Sequence, residues 1–139
     1  MKILIDTNVV LDAIAQREPF REAAEQILLL AAEGKTKAYI TANSATDIYY
    51  LIRKHLPSAA KAKEQLLKLT CAIGILDIAE RDCLNGFSSP VHDYEDAVLS
   101  VRAKRAKMDY IVTRDMKHLE KASVPILSPE AFIKACADL

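Results

Sequence analysis

The stretch that decides the fold reads ILIDTN at residues 3–8, a short apolar run that ends on a carboxylate. Near the other terminus, residues 110–115 read YIVTRD and repeat the same arrangement. Each run has the length and composition of a short buried strand. Because ligands of open α/β sheets bind outside the carboxyl ends of the strands, we expect Asp6 and Asp115 to face a common cleft.

Composition favours a single globular domain spanning residues 1–139. About half of the 139 residues are hydrophobic, and a chain of this size buries roughly two thirds of the surface that it exposes when unfolded. The three cysteines, Cys71, Cys83 and Cys136, are widely separated and suggest neither a disulfide framework nor a zinc site. We therefore expect a reduced, cytoplasmic protein.

Charge and hydropathy exclude two further classes. Lys plus Arg and Asp plus Glu both number 19, so the whole-chain charge gives no preference for nucleic acid. Any polyanion must then be held by local basic patches or by metal ions. Asp6 interrupts the first apolar run, which excludes a signal-peptide core, and no segment predicts a membrane span.

Strands and helices alternate along the chain. Helices are predicted at 8–15, 20–33, 43–55, 58–70, 79–85 and 93–107 and from 129 onward, and strands at 3–5, 38–40, 71–78, 110–112 and 124–127. Either Thr41 or Asn43 is expected to cap the third helix. Short, continuously apolar strands between helices predict an α/β fold, a single-domain parallel sheet of four to five short strands flanked by helices on both faces.

Two further acids occupy unusual helical positions. Asp47 lies about one turn inside its helix, where Asp is a poor helix former and cannot serve as the cap. A solvated charge near Lys54 is its ordinary alternative. Asp96 shares an inward-facing stripe with apolar residues, whereas Glu95 shares one with Arg102 and is expected to face outward. Asp96 is therefore the better candidate ligand.

Asp93 is the second candidate at this helix start, and helix capping is its ordinary role. Carboxylates gathered in one cleft repel one another by about 4 kcal/mol per pair at ~4 Å and an effective dielectric near 20. A cation is needed to hold them together when ionised. An all-oxygen ligand set favours Mg²⁺ or Mn²⁺.

In order along the chain, the motifs Asp6-Thr7-Asn8, Asp47 within ATDIYY, Asp96 within DYEDA, and Asp115 at the end of IVTRD resemble those of the PIN-domain nucleases. The resemblance covers nearly the whole chain and is closest to the VapC-type toxin ribonucleases. It implies a PIN-like fold in which Asp6, Asp47, Asp96 and Asp115 are the catalytic, metal-binding acids. Thr7, Asn8, Asp93 and Thr113 match the supporting positions. The family often has Glu where this chain has Asp47, which leaves direct or water-mediated ligation open.

By this resemblance the chain is expected to be a hydrolase, an endoribonuclease that uses Mg²⁺ or Mn²⁺ to activate water against an RNA phosphodiester. It also implies an antitoxin protein as partner and a homodimer. The non-enzymatic alternative is a catalytically degenerate PIN domain that acts as an RNA- or protein-binding scaffold. Dinucleotide binding is excluded because none of the three glycines forms a phosphate loop after the first strand.

Side chains for RNA contact are expected at Arg53, Lys54, Arg114 and Lys117, with solvated helix faces as the ordinary alternative. Arg114 and Lys117 are favoured because they flank Asp115.

Three tyrosines, Tyr49, Tyr50 and Tyr94, have two interpretations, base stacking and core packing. Among the histidines, His92 is the stronger candidate for proton transfer because it adjoins the acidic helix start.

Overall fold

The computed structural model describes residues 1–138, which form five strands and seven helices. In chain order these are β1 Lys2–Ile5, α1 Thr7–Ile14, α2 Arg21–Ala32, β2 Lys37–Thr41, α3 Ala42–Arg53, α4 Ala59–Thr70, β3 Gly74–Leu76, α5 Glu80–Gly86, α6 Tyr94–Arg105, β4 Tyr110–Val112, β5 Ile126–Leu127 and α7 Pro129–Ala137. Within residues 1–138, no helix combines the length and apolarity needed to cross a membrane. The predicted alternation of strands and helices is confirmed.

The five strands form one parallel sheet in the order β3-β2-β1-β4-β5. The chain builds outward from β1 through β2 to β3, then returns to the other side of β1 with β4 and β5. The change of direction therefore lies between β1 and β4, where Ile5 pairs with Val112. In doubly wound sheets, ligands bind at such a switch point, outside the carboxyl ends of the strands.

Helices cover both faces of the sheet, which confirms the predicted fold class. Ile3 and Ile5 are fully buried in a core cluster with residues of α1, α2, α3, α4 and α7, including Phe132. Leu4 and Ile111 point to the other face and pack in a second cluster with residues of α6. Successive side chains of a strand alternate between faces, so a strand apolar at every position needs both layers.

Local sequence signals set the ends of the helices. Thr41 is the cap of α3, because its side chain accepts a hydrogen bond from the Ser44 amide at 3.4 Å, and Asn43 lies within the first turn. Ser58 caps α4 and Ser128 caps α7 in the same way. Gly34, at φ +75°, follows the end of α2 in the left-handed region that favours glycine.

A buried ion pair fastens α5 to α6. Asp82 is completely buried; its carboxylate accepts hydrogen bonds from the Ala79 amide at 2.8 Å and from Arg105 Nε and Nη2 at 2.8 and 2.7 Å. The bond from Arg105 is the main cause that lowers the pKa of Asp82 below its ordinary value of 3.8. This pair fixes the position of α6, whose first turn carries the acids Asp93, Glu95 and Asp96.

We expect Asp82→Ala to destabilise the fold by roughly 3 kcal/mol, because it leaves a partly buried guanidinium without its partner. Since the pKa of Asp82 is lowered in the folded state, its contribution is present above the ordinary carboxyl pKa and is lost as the pH falls through the folded-state pKa. Urea denaturation should therefore show a smaller difference between variant and parent near pH 3 than at about pH 7. Glu80→Ala, which removes an exposed acid from the same helix, should change stability by less than about 0.5 kcal/mol. Equal losses in the two variants would contradict this role of Asp82.

Candidate metal centre

A cavity of about 420 Å³ opens at the carboxyl ends of β1 and β4. Its lining residues are mostly polar and come from the segments after β1 and β4 and from α3 and the start of α6: Asp6, Thr7, Asn8, Asp47, Tyr50, Leu51, Asp93, Glu95, Asp96 and Asp115. The four acids predicted as metal ligands therefore share one cavity, although they lie far apart in the sequence.

Asp6 occupies the N-cap position of α1, but its side chain makes no capping hydrogen bond. Its carboxylate instead accepts a hydrogen bond from the Thr113 hydroxyl at 2.8 Å. Burial raises the pKa of Asp6, and the hydrogen bonds from Thr113 and from the Thr7 backbone oppose that rise. The ordinary explanation of Asp6 as a helix cap is thus excluded, and its carboxylate is available to the cavity.

Thr113 links the two strand-end acids. Its hydroxyl oxygen accepts a hydrogen bond from the Asp115 amide at 2.9 Å, so its proton is donated to Asp6 Oδ2. Because Thr113 is fully buried, water cannot compete for these bonds. One hydroxyl therefore orients Asp6 and holds the backbone of Asp115 beside it.

A second hydroxyl contact braces the opposite wall. The Thr7 and Ser44 hydroxyl oxygens lie 2.6 Å apart and join the first turns of α1 and α3. Ser44 is buried and lies one turn before Asp47, which lines the cavity from α3. Thr7 thus holds together two of the helices that carry cavity residues.

Glu95 corrects the sequence interpretation of α6. It was expected to face outward together with Arg102. Glu95 is exposed as expected but also lines the acidic cavity, whereas Arg102 is buried. Arg102 Nε donates to the Asp77 backbone oxygen at 2.6 Å. The prediction that Glu95 and Arg102 share one outward face was wrong for Arg102, which is covered by the chain after β3. Glu95 lies in the first turn of α6, where a long side chain can reach past the helix end.

Glu95 and Asp47 form a carboxyl pair across the cavity. A hydrogen bond with Asp47 is the main cause that raises the pKa of Glu95 to about 7, with burial as the next cause. The Glu95 carboxyl is therefore partly protonated near neutral pH. Because Glu95 is one methylene longer than Asp, it provides carboxylate reach on the side of the cavity where Asp47 is short.

Asp96 also has a raised pKa, of about 6. The main cause is burial, followed by the negative charges of Asp6, Asp93 and Asp115. Asp93 caps α6 by accepting a hydrogen bond from the Asp96 amide at 3.1 Å, which confirms the predicted cap. The first turn of α6 therefore presents Asp93, Glu95 and Asp96 to the same cavity.

The histidine in contact with the site is His118. Its Nδ1 lies 2.5 Å from Asp115 Oδ2, and this hydrogen bond raises the pKa of the imidazole. His92, the candidate favoured from the sequence, is exposed and lines a neighbouring cavity instead. The signal available in the sequence was the spacing of three residues between Asp115 and His118. Asp115 begins a turn, and its carboxylate also accepts a hydrogen bond from the His118 backbone amide.

Arg114 is engaged away from the cavity. Its Nε and Nη2 donate to the buried Asp12 of α1 at 2.6 and 3.2 Å, and its guanidinium lies 3.9 Å from the Phe20 ring centroid. Arg17 pairs with the same carboxylate at 3.0 Å. Asp12 thus anchors the loop that carries Asp115, and an RNA phosphate would compete with Asp12 for Arg114.

The other basic residues predicted for RNA contact lie outside the cavity wall. Lys117 is exposed in the turn after Asp115, and Lys54 is exposed at the end of α3. Arg53 donates to the Leu56 backbone oxygen at 3.2 Å. Since no basic residue lines this cavity among residues 1–138, a phosphate can approach its acids only if a cation screens them.

The donor set fits a hard divalent cation. Among residues 1–138, no three Asp, Glu, His or Cys side chains are already arranged to ligate one ion. Mg²⁺ does not require such a cage, because proteins bind it through one or two carboxylates while it keeps several waters. Burial is the main cause that raises the pKa values of Asp6 and Asp96, and a hydrogen bond with Asp47 is the main cause for Glu95; neighbouring negative charges raise all three further.

A PIN domain family model matches residues 2–117, and the chain belongs to the PIN-domain family. Among curated proteins, none shows significant sequence similarity to the chain.

Several solved structures share the fold. VapBC2 from Rickettsia felis, bound to a promoter DNA fragment, has a TM-score of 0.69 at 14% identity, covering 92% of this chain and 98% of its own. DNA-bound VapBC from Salmonella typhimurium has a TM-score of 0.69 at 16% identity, with 93% and 98% covered. VapC20 from Mycobacterium tuberculosis, described as a sarcin-ricin loop cleaving toxin, has a TM-score of 0.65 at 10% identity, with 85% and 93% covered.

We expect Asp96→Asn to raise the melting temperature of the metal-free protein at about pH 8. The raised pKa means that the ionised carboxylate is less favourable in the folded than in the unfolded state, so the charge destabilises the fold above about pH 6. Removing it should stabilise by roughly 1 kcal/mol after solvent screening. The gain should fall as the pH is lowered through about 6. Glu120→Gln, an exposed acid outside the cavity, is the control, and a lower melting temperature for Asp96→Asn at about pH 8 would contradict charge repulsion.

Proposed function

We propose that the chain is a metal-dependent endoribonuclease of the PIN-domain family and the toxin of a toxin–antitoxin pair. The observation that carries this proposal is the convergence of Asp6, Asp47, Asp96 and Asp115 on one cavity at the switch point of the sheet. Membership of the PIN-domain family supports nuclease chemistry for such a site. Solved toxins and toxin–antitoxin complexes of the same fold support the biological role.

Asp6, Asp96 and Asp115 are the residues that would hold Mg²⁺ or Mn²⁺. Thr113 keeps the first and last of these oriented, and Asp12 anchors the loop of Asp115 through Arg114. The ion would supply Lewis acidity toward a phosphate oxygen and a lower pKa for attacking water.

Asp47 and Glu95 are assigned a proton-handling role on the other side of the cavity. Glu95, whose pKa is raised to about 7 mainly by its hydrogen bond with Asp47, can accept or release a proton near neutral pH. Glu95 thereby joins the residues expected from the sequence. Asn8, which lines the cavity, can donate an amide hydrogen bond to a carboxylate or a phosphate oxygen.

RNA is the proposed substrate. Hydrolysis at a metal site needs no covalent nucleophile, and the acidic cavity is open to the surface, where a strand could approach it. Lys117 is exposed two residues beyond Asp115, which lines the cavity. The description of VapC20 as a sarcin-ricin loop cleaving toxin supports an RNA target.

Residues 1–139 are proposed to act as a single PIN domain. The domain is proposed to form a homodimer and to bind an antitoxin protein. The VapBC structures of the same fold support an antitoxin partner.

The decisive experiment is cleavage of a mixed RNA pool by purified protein with Mg²⁺ or Mn²⁺. EDTA and the variant Asp6→Asn should each reduce cleavage at least about a hundredfold, since both remove the charge arrangement that activates water. Glu120→Gln should cleave like the parent. Cleavage that survives both EDTA and Asp6→Asn would refute the metal nuclease, and RNA binding without cleavage by the parent would favour the scaffold alternative.

Metal binding has a readout that does not depend on activity. Mn²⁺ should raise the melting temperature of the parent, because an ion that binds only the folded state stabilises it. The increase should be smaller in Asp96→Asn, which lacks one ligand, and smaller at about pH 5.5 than at about pH 8, since protons and metal compete for Asp96 and Glu95. Equal increases in parent and variant would remove Asp96 from the site.

A further inference from the structure

A stacked aromatic pair lies on the surface beside the acidic cavity. Phe87 follows the end of α5, Tyr94 begins α6, and their ring centroids are 4.7 Å apart with planes inclined by 24°. Phe87 is 74% exposed and Tyr94 is 43% exposed. Large aromatic side chains left in water together mark a binding surface more often than a structural need.

The Tyr94 ring of this pair is held in place by contacts with α5. The Tyr94 hydroxyl donates to the Cys83 backbone oxygen at 2.7 Å, which fixes the ring against α5. A Cβ atom placed on Gly86 would lie 3.2 Å from Tyr94 Cε1 and 2.9 Å from Val98 Cγ2, so the absence of a side chain at Gly86 permits this close approach. The Tyr94 ring is therefore fixed before any ligand arrives, which lowers the entropic cost of binding.

The pair also lines a cavity of its own, of about 490 Å³, together with His92 and Lys121. Aromatic faces with a nearby ammonium suit a flat, neutral ring that carries a phosphate, which is the chemistry of a nucleotide. The ammonium of Lys121 favours a phosphate-bearing occupant over a neutral peptide segment.

The two cavities are separate, but consecutive residues at the start of α6 line one or the other. Tyr94 lines the aromatic cavity, and its chain neighbours Asp93 and Glu95 line the acidic cavity. A strand whose phosphate lies over the acids would need to cross only the first turn of α6 to place a neighbouring base on the Phe87–Tyr94 face. Asp82, through Arg105, holds α5 and α6 in this relation.

We propose that the Phe87–Tyr94 face is a base-binding subsite that stacks an unpaired nucleobase of the substrate RNA, with Lys121 facing a neighbouring phosphate. This inference rests on the proposed ribonuclease function. It adds a requirement for single-stranded RNA at the position next to the cleaved bond, because a paired base cannot offer its face to the rings.

The chain contains no tryptophan, so Phe87→Trp introduces a single tryptophan at the subsite, whose emission can be excited selectively over that of the five tyrosines. In an Asp6→Asn background with Mg²⁺, where cleavage is blocked, a short unstructured RNA should quench this emission. An abasic ribose-phosphate oligomer of equal length should not, because it offers charge without bases. Equal quenching by both would overturn the stacking role.

The second measurement uses variants of the otherwise unchanged protein. Phe87→Leu keeps an apolar side chain but loses the ring, and it should weaken RNA binding about tenfold and raise KM for cleavage with little change in kcat. Phe87→Tyr should bind like the parent. Leu84→Ala removes another exposed apolar side chain, of α5, that is 58% exposed and does not line the cavity, and should leave binding and cleavage unchanged.

The outcomes separate the two proposals. If Phe87→Leu binds and cleaves RNA like the parent, the subsite is refuted and the nuclease stands. If the parent neither binds nor cleaves RNA, both proposals fall. If the emission of the Phe87→Trp variant changes with protein concentration in the absence of RNA, the face is a contact between copies of the chain, and the subsite is again overturned.

Discussion

The parallel pairing of β1 with β4 is the constraint on which the site depends. It joins segments from opposite ends of the chain, with Ile5 beside Val112, and continues into a hydrogen bond of 3.0 Å from the Asp6 amide to the Val112 carbonyl. The strands end together, so the carboxylates that follow them face the same crevice. Helices on both faces then bury the pairing and make its register rigid.

The acids of this protein divide according to their partners. Asp12 and Asp82 are buried and each accepts two hydrogen bonds from one guanidinium, so their charges are neutralised within the fold. Asp6 has a hydroxyl as its hydrogen-bond donor, and Glu95 has another carboxyl. The acids paired with arginine hold helices and loops together. The acids without a basic partner repel one another, and a bound cation would reduce that repulsion. The two kinds are adjacent, because Asp12 anchors the loop that carries Asp115.

Much of the candidate site was predictable, for a physical reason. Asp6 and Asp115 follow apolar strands, and parallel strands place their carboxyl ends at one edge. Asp47 stood out because Asp is a poor residue inside a helix. Glu95 and His118 were not identified as site residues from the sequence. Helical periodicity does not predict side-chain direction in the first turn of a helix or in the turn after a strand, where the local backbone sets it.

The sequence by itself determined the order and type of the elements, their caps and the fold class, since apolar runs, glycine, proline and capping hydroxyls act over a few neighbouring residues. Only the tertiary structure decided which acids are neutralised by arginine and which remain unpaired. It also decided that Arg114 binds Asp12 and that Phe87 stacks on Tyr94 beside the acidic cavity. These contacts depend on how separate helices and loops pack around the sheet, and pairing across such distances leaves no periodic signal along the chain.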